Sequence, residues 1–125
     1  MKESLVLAKS LDFGVRIMRF YRFLMDERKE FIVSKQICRS GTSIGANISE
    51  ALSAESDLDF IHKLSISQKE INETKYWLML LLRSEIITKP MYDSLLNDCE
   101  QLRKMIASII LTKKNNMANK KTHNS

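Results

Sequence analysis

The chain has 125 residues, 44% of them apolar, enough for one domain with a core of its own and no need of disulfide staples. Three glycines and one proline disfavour a turn-rich sheet protein and point to helices. The net charge of +5 says less than its placement. From Lys113 onward there are four lysines and no acid, whereas residues 1–112 carry 16 basic and 15 acidic groups, so the body is nearly neutral and the C-terminal end is basic. Within the body, residues 1–40 hold nine basic and five acidic side chains and residues 41–112 hold seven and ten, which places any basic surface on the first helix and its surroundings.

A first helix is expected over about residues 3–28. Phe13, Ile17, Phe20 and Leu24 recur at spacings of four, three and four, beside a second stripe of Leu11, Val15 and Met18. Two adjacent stripes make a wide apolar face, the kind that lies between several neighbours or between a bundle and another subunit. Arg16, Arg19 and Arg22 fill the remaining surface. A second helix is expected over 34–55, capped by Ser34 and buried along Ile37, Ile44, Ile48 and Ala51. Gly41 and Gly45 interrupt its propensity, but the apolar phase runs through them unbroken, and glycines four apart let another helix come close.

Ser56 with Asp57 and Asp59 marks the start of a third helix over 57–86, with a stripe of Phe60, Leu64, Ile71, Leu78 and Leu82 and Trp77 alongside. Thr88, Lys89 and Pro90 open a fourth over 89–112, where Leu95, Cys99, Leu102, Ile106 and Ile109 repeat at four, three, four and three. Residues 113–125 are polar, basic and without periodicity, and are expected to be a disordered tail. The fold class that follows is all-α, an antiparallel up-down-up-down four-helix bundle over residues 1–112.

The second helix carries a polar stripe of Arg39, Ser43, Asn47 and Glu50 within an arc of about 80°, and the third offers Lys63, Ser67, Glu70 and Thr74 with Glu73 beside them. If the hairpin turns near residue 56, Arg39 meets Thr74 and Glu70, Ser43 meets Glu70, Asn47 meets Ser67 and Glu50 meets Lys63. Such a network fixes helix register and subunit contacts. Catalysis finds no support. Asp59 to His62 is the one approach to the Glu-x-x-His pairs of a di-iron bundle, the other histidine, His123, lies in the tail, and Cys38 and Cys99 have neither a CxxC nor a histidine at ligand spacing. No Gly-rich phosphate loop is present. No metal, cofactor or catalytic residue is therefore expected. The N-terminal segment has no unbroken hydrophobic run or cleavage site, and the longest apolar run, Trp77 to Leu82, is too short to span a bilayer, so a cytoplasmic protein without a membrane partner is expected.

Residues 34–87 closely resemble the bacterial family called four helix bundle protein, or 23S ribosomal RNA intervening-sequence protein. The resemblance rests on Arg39, on Ser43 and Ile44 followed by Ala46, Asn47 and Ile48 with Glu50, on Asp59 and Phe60, and on Glu70, Glu73, Tyr76 and Trp77. The first and fourth helices agree with the family in length and character, and Gly45 stands where many members have proline. The resemblance implies a left-handed bundle that assembles as a ring-shaped homopentamer. Similar bundles serve as accessory subunits of retroelement reverse transcriptases and are thought to bind nucleic acid and the polymerase. The expected function is a non-catalytic, homo-oligomeric, RNA-associated protein whose Arg16, Arg19, Arg22, Lys113, Lys114, Lys120 and Lys121 contact phosphates of RNA or DNA. The alternative is a structural or adaptor ring that holds a protein partner through its apolar first helix and has no affinity for nucleic acid.

Overall fold

The computed structural model describes residues 1–123. Four helices follow in order: α1 (Lys2–Asp26), α2 (Val33–Leu52), α3 (Asp57–Arg83) and α4 (Lys89–His123). Each packs on its neighbour in sequence, and α4 closes onto α1. The pairs across each seam fix the directions. Gly41 and Gly45 of α2 face Ile17 and Ser10 of α1. Ser67 donates to the Ile44 carbonyl at 2.8 Å and Thr74 to Ser40 Oγ at 2.9 Å. Lys75 meets Glu100 where Lys113 meets Asp57, and Arg16 meets Asp98 where Lys2 meets Ser108. In every case numbers rise on one helix as they fall on the other, so the bundle is antiparallel, up-down-up-down, as the periodicity requires.

The interior stripe on α1 is Val6, Phe13, Ile17, Phe20 and Leu24, and on α2 it is Ile37, Ile44, Ile48 and Ala51. On α3 the buried positions are Phe60, Leu64, Ser67, Ile71, Thr74, Leu78 and Leu81. Leu82, expected in this stripe, is only half-buried and Leu81 takes its place. The reason is the alternation of four and three, which runs unbroken from Phe60 to Leu81 once Ser67 and Thr74 are admitted as polar members. The α4 seam from Leu95 to Ile109 is buried throughout. Each such Leu, Ile or Phe stabilises the fold by roughly 1.5–3 kcal/mol.

The ends of the helices follow local chemistry. Ser56 Oγ accepts from the Asp59 N–H at 3.1 Å, a regular N-cap. Ser34, expected to cap α2, instead lies inside the first turn, with its buried hydroxyl unpaired among the described residues. Glu30 performs the capping: its carboxylate accepts from the N–H groups of Ile32 at 3.1 Å and Ser34 at 2.7 Å. Helix α3 stops three residues before the expected position. The Ile86 N–H bonds to the Leu81 carbonyl, the Glu85 N–H bonds to the Leu82 carbonyl, and Glu85 is left-handed at φ 60°. This is a Schellman ending on a residue that gives no glycine signal.

The expectation of a disordered segment from Lys113 onward is corrected by α4, which continues to His123; residues 124–125 lie outside the described residues. Lys113 Nζ sits 3.4 Å from Asp57 Oδ1 and 4.7 Å from the centre of the Phe60 ring, which ties this turn to the start of α3. Beyond it, an already nucleated helix extends through Lys, Met and Ala residues that favour it, and the lysines near its end match the negative pole of the helix dipole.

Candidate functional site

The α2–α3 seam gathers part of the expected polar network. Arg39 reaches Glu70 at 3.3 Å and also pairs with Glu73. Glu73 accepts from the Trp77 indole N–H at 3.0 Å. That indole bond is the main force holding the Glu73 carboxyl below its ordinary range, with Arg39 adding to it against the cost of burial. Below this exposed cluster lies a buried one, in which Thr74 donates to Ser40 and Ser67 to Ile44. The remaining expected pairs do not form. Ser43 donates to the Arg39 carbonyl and Asn47 to the Ser43 carbonyl, both within α2, because short polar side chains bond their own preceding turn more readily than they span a seam. Glu50 and Lys63 make no ion pair with each other, and Thr74 bonds to Ser40 rather than Arg39. Ser40 was not singled out by the sequence reading, although it stands three residues after Ile37 and four before Ile44 and so shares their buried phase.

A second network went unread. Glu100 of α4 accepts from Lys75 of α3 at 2.6 Å and from Arg103 at 3.0 Å. Those two bonds hold its carboxyl down to about 2. Arg103 stands three residues after Glu100 on the same helix, a spacing visible in the sequence, whereas Lys75 is brought in from α3 by the register of the α3–α4 seam.

The cations expected to meet phosphate fall into distinct places. Arg16 bonds to Asp98 Oδ2 at 2.7 Å and to Ser94 at its hydroxyl and carbonyl, so its guanidinium is engaged on the α1–α4 seam. Arg19 and Arg22 are exposed and make no ion pair among the described residues. Lys113 is held by Asp57, while Lys114, Lys120 and Lys121 are exposed. At 100° per residue, Lys113, Lys114, Lys120 and Lys121 occupy an arc of about 120° on one side of α4. Arg19 and Arg22 lie some 25 Å further along the bundle axis from Lys113, counting 1.5 Å per residue along α1, and so form a separate patch.

The second apolar stripe of α1 is open to solvent, with Leu11 61%, Val15 51% and Met18 47% exposed. Beside it, surface clefts of about 150 to 310 Å³ follow the α1–α4 seam, lined by residues such as Leu5, Met105, Phe23 and Met91. Among the described residues no group of three or more His, Cys, Asp or Glu side chains could hold a metal ion, and no helix is long and apolar enough to cross a membrane. Cys38 and Cys99 are free thiols, and burial pushes the Cys99 thiol up to about 12.

The chain matches the family described as 23S rRNA-intervening sequence protein over residues 2–108, a span that takes in all of α1, α2 and α3 and most of α4. The chain belongs to this family. A solved structure from Bacteroides thetaiotaomicron VPI-5482, a protein of unknown function from the S23 ribosomal protein family, is 57% identical, with a TM-score of 0.87 over 88% of this chain and 98% of that one. No curated protein matches the chain. The family match ends at residue 108, so the 23S rRNA-intervening sequence family accounts for the bundle, and the lysine-bearing end of α4 lies beyond it.

Proposed function

We propose that the protein is a non-catalytic, self-assembling four-helix bundle that associates with RNA through sequence-blind phosphate contacts. The observation that supports it best is the second half of α4, which carries no acid after Glu100 and aligns its last lysines on one side of the helix. A row of cations without intervening carboxylates has polyanions as its natural partner. RNA is the polyanion of choice because the family takes its name from sequences within ribosomal RNA. Lys114, Lys120 and Lys121 supply the contacts, with Arg19 and Arg22 as a second patch. Self-assembly has its support in the uncovered stripe of Leu11, Val15 and Met18, and the family resemblance suggests five copies in a ring; the sequence reading adds a cytoplasmic setting and no cofactor.

The test is a fluorescence-anisotropy titration of a structured ribosomal RNA fragment at about 50 and 200 mM salt. Binding that weakens steeply with salt, and that weakens further in the Lys114→Ala, Lys120→Ala, Lys121→Ala variant, is expected. The same α1 stripe favours one other reading, an adaptor that holds a protein partner and ignores RNA. Failure of the intact protein to bind RNA at either salt concentration would leave that reading standing alone.

A further inference from the structure

Lys113 is held by another helix through Asp57 and Phe60, and Asn116 borders the cleft at the start of α1. From there the helix continues to His123, about 10 Å at 1.5 Å per residue. Its exposed lysines are set on a rigid scaffold: Lys114 and Lys121 lie within about 20° of each other, two turns apart, and Lys120 flanks them. The opposite side, Asn115, Ala118, Asn119 and Thr122, is uncharged. The bundle end below carries Glu3, Glu55 and Asp57 around one cleft, with Lys113 paired to Asp57 as the cation among them, so acids outnumber bases there and the projecting turns are the more basic surface.

What this end lacks also bears on the ligand. Proteins that hold single strands combine a basic groove with aromatic side chains on which bases stack. The projecting segment has no Phe, Tyr or Trp, and Phe60 is buried under Lys113. The exposed rings of Phe31 and Tyr76 are at the far end of the bundle; Tyr76 is roughly 28 Å along α3 from Asp57. A straight helix sets the backbone positions of its lysines in a regular register, which suits phosphates in a regular array, and RNA duplexes are recognised through backbone and shape rather than base edges.

We infer that the projecting end of α4 is a docking rod for double-stranded RNA, gripping backbone phosphates through Lys114, Lys120 and Lys121. This rests on the RNA-association reading above and adds the class of RNA. The segment lies beyond the family match, which ends at residue 108, so the inference rests on this chain's own residues.

The experiment uses the full chain and anisotropy at about 100 mM salt with three labelled probes of equal phosphate number: an RNA duplex of about 20 base pairs, an unstructured RNA strand, and a DNA duplex of the same sequence. The RNA duplex is expected to bind about tenfold or more tightly than the single strand, with three contacts giving a salt slope of about −2.7 per subunit. Lys114→Ala, Lys120→Ala, Lys121→Ala removes that slope. Ala118→Pro keeps every lysine but breaks the rod, and is expected to bring duplex binding down to the single-strand level while thermal melting shows the bundle intact. Equal or tighter binding of the single strand, or an unchanged preference in Ala118→Pro, overturns the duplex assignment and leaves RNA association standing. Tighter binding of the DNA duplex overturns the choice of RNA, and no binding of any probe overturns RNA association itself.

Discussion

A Cβ placed on Gly41 would stand 2.8 Å from Ile17 Cγ1 and 2.9 Å from its Cγ2, so α1 and α2 touch where a side chain would separate them. Ile17 is fully buried, so the displaced side chain must be taken up by a packed core. Gly41→Ala gains about 1 kcal/mol of helix propensity and loses about 1–3 kcal/mol to overpacking, so a net loss of about 1 kcal/mol is expected in urea denaturation. Gly14, with nothing within 4 Å of its added Cβ, is the control: Gly14→Ala is expected to raise stability by about 0.5–1 kcal/mol. A Gly41→Ala protein as stable as its parent would remove the close approach as the reason for this glycine.

The buried pair of Thr74 and Ser40, 2.9 Å apart, makes a second prediction. Thr74→Val keeps the shape but removes the donor, and is expected to cost about 1–2 kcal/mol. Ser40→Ala combined with Thr74→Val is expected to cost less than the sum of the two single changes, by 0.5 kcal/mol or more in roughly the range seen for contacting residues. Strict additivity in the double-mutant cycle would mean that the two hydroxyls do not sense each other.

Acid sensitivity follows from Glu100. Its carboxyl, held down to about 2 by Lys75 and Arg103, contributes stability that is present above the ordinary carboxylate range and is lost as pH falls from about 4.5 toward 2. With about a third of the side chain exposed, solvent screening limits the loss to about 0.5–1 kcal/mol. The fall in unfolding free energy between pH 7 and pH 3 should be smaller in Glu100→Gln; an identical fall in both proteins would show that the pair contributes nothing.

The uncovered face of α1 can be tested apart from the fold. Leu11 and Met18 are each about half exposed, so Leu11→Glu and Met18→Lys are expected to change the stability of a single bundle by about 0.5 kcal/mol or less. If this face joins copies, the mass measured by light scattering drops to that of one chain. Retention of the parent mass by both variants would move the assembly contact to another surface.

The two thiols should separate in reactivity. Cys99 is buried and its thiol is pushed up to about 12, which leaves almost no thiolate at neutral pH, whereas Cys38 is half-buried. A maleimide-type reagent at pH 7.5 is expected to modify Cys38 first and Cys99 only as the protein unfolds. Equal rates in native buffer would contradict the burial of α4.

The bundle was legible in the sequence because apolar spacing is a local record of which side faces inward: the stripes of Phe13 to Leu24, Ile37 to Ala51 and Leu95 to Ile109 all proved buried. Even the unfavourable Gly41 and Gly45 were readable through the isoleucines around them. Positions where a polar residue enters the core were harder, since Ser40 and Ser10 look like surface serines until a partner helix covers them. The candidate site was legible in composition but not in arrangement. A count of charges cannot tell that Arg16 is engaged by Asp98 while Arg19 is not, and a run without apolar periodicity gave no sign that Lys113 would be anchored on Phe60 and carry the helix onward.

The clefts along the α1–α4 seam also set how the molecule breathes. The α2–α3 seam is interlocked by the buried Thr74–Ser40 and Ser67–Ile44 hydrogen bonds, whereas α1 meets α4 through the half-buried pair of Arg16 with Asp98 and the exposed pair of Lys2 with Ser108. Partial opening should therefore begin where the ring of helices closes. Amide protons on the α4-facing side of α1 should exchange with solvent before those at the centre of the α2–α3 hairpin, so the protein would loosen as a clasp does, at its fastening and not at its hinge.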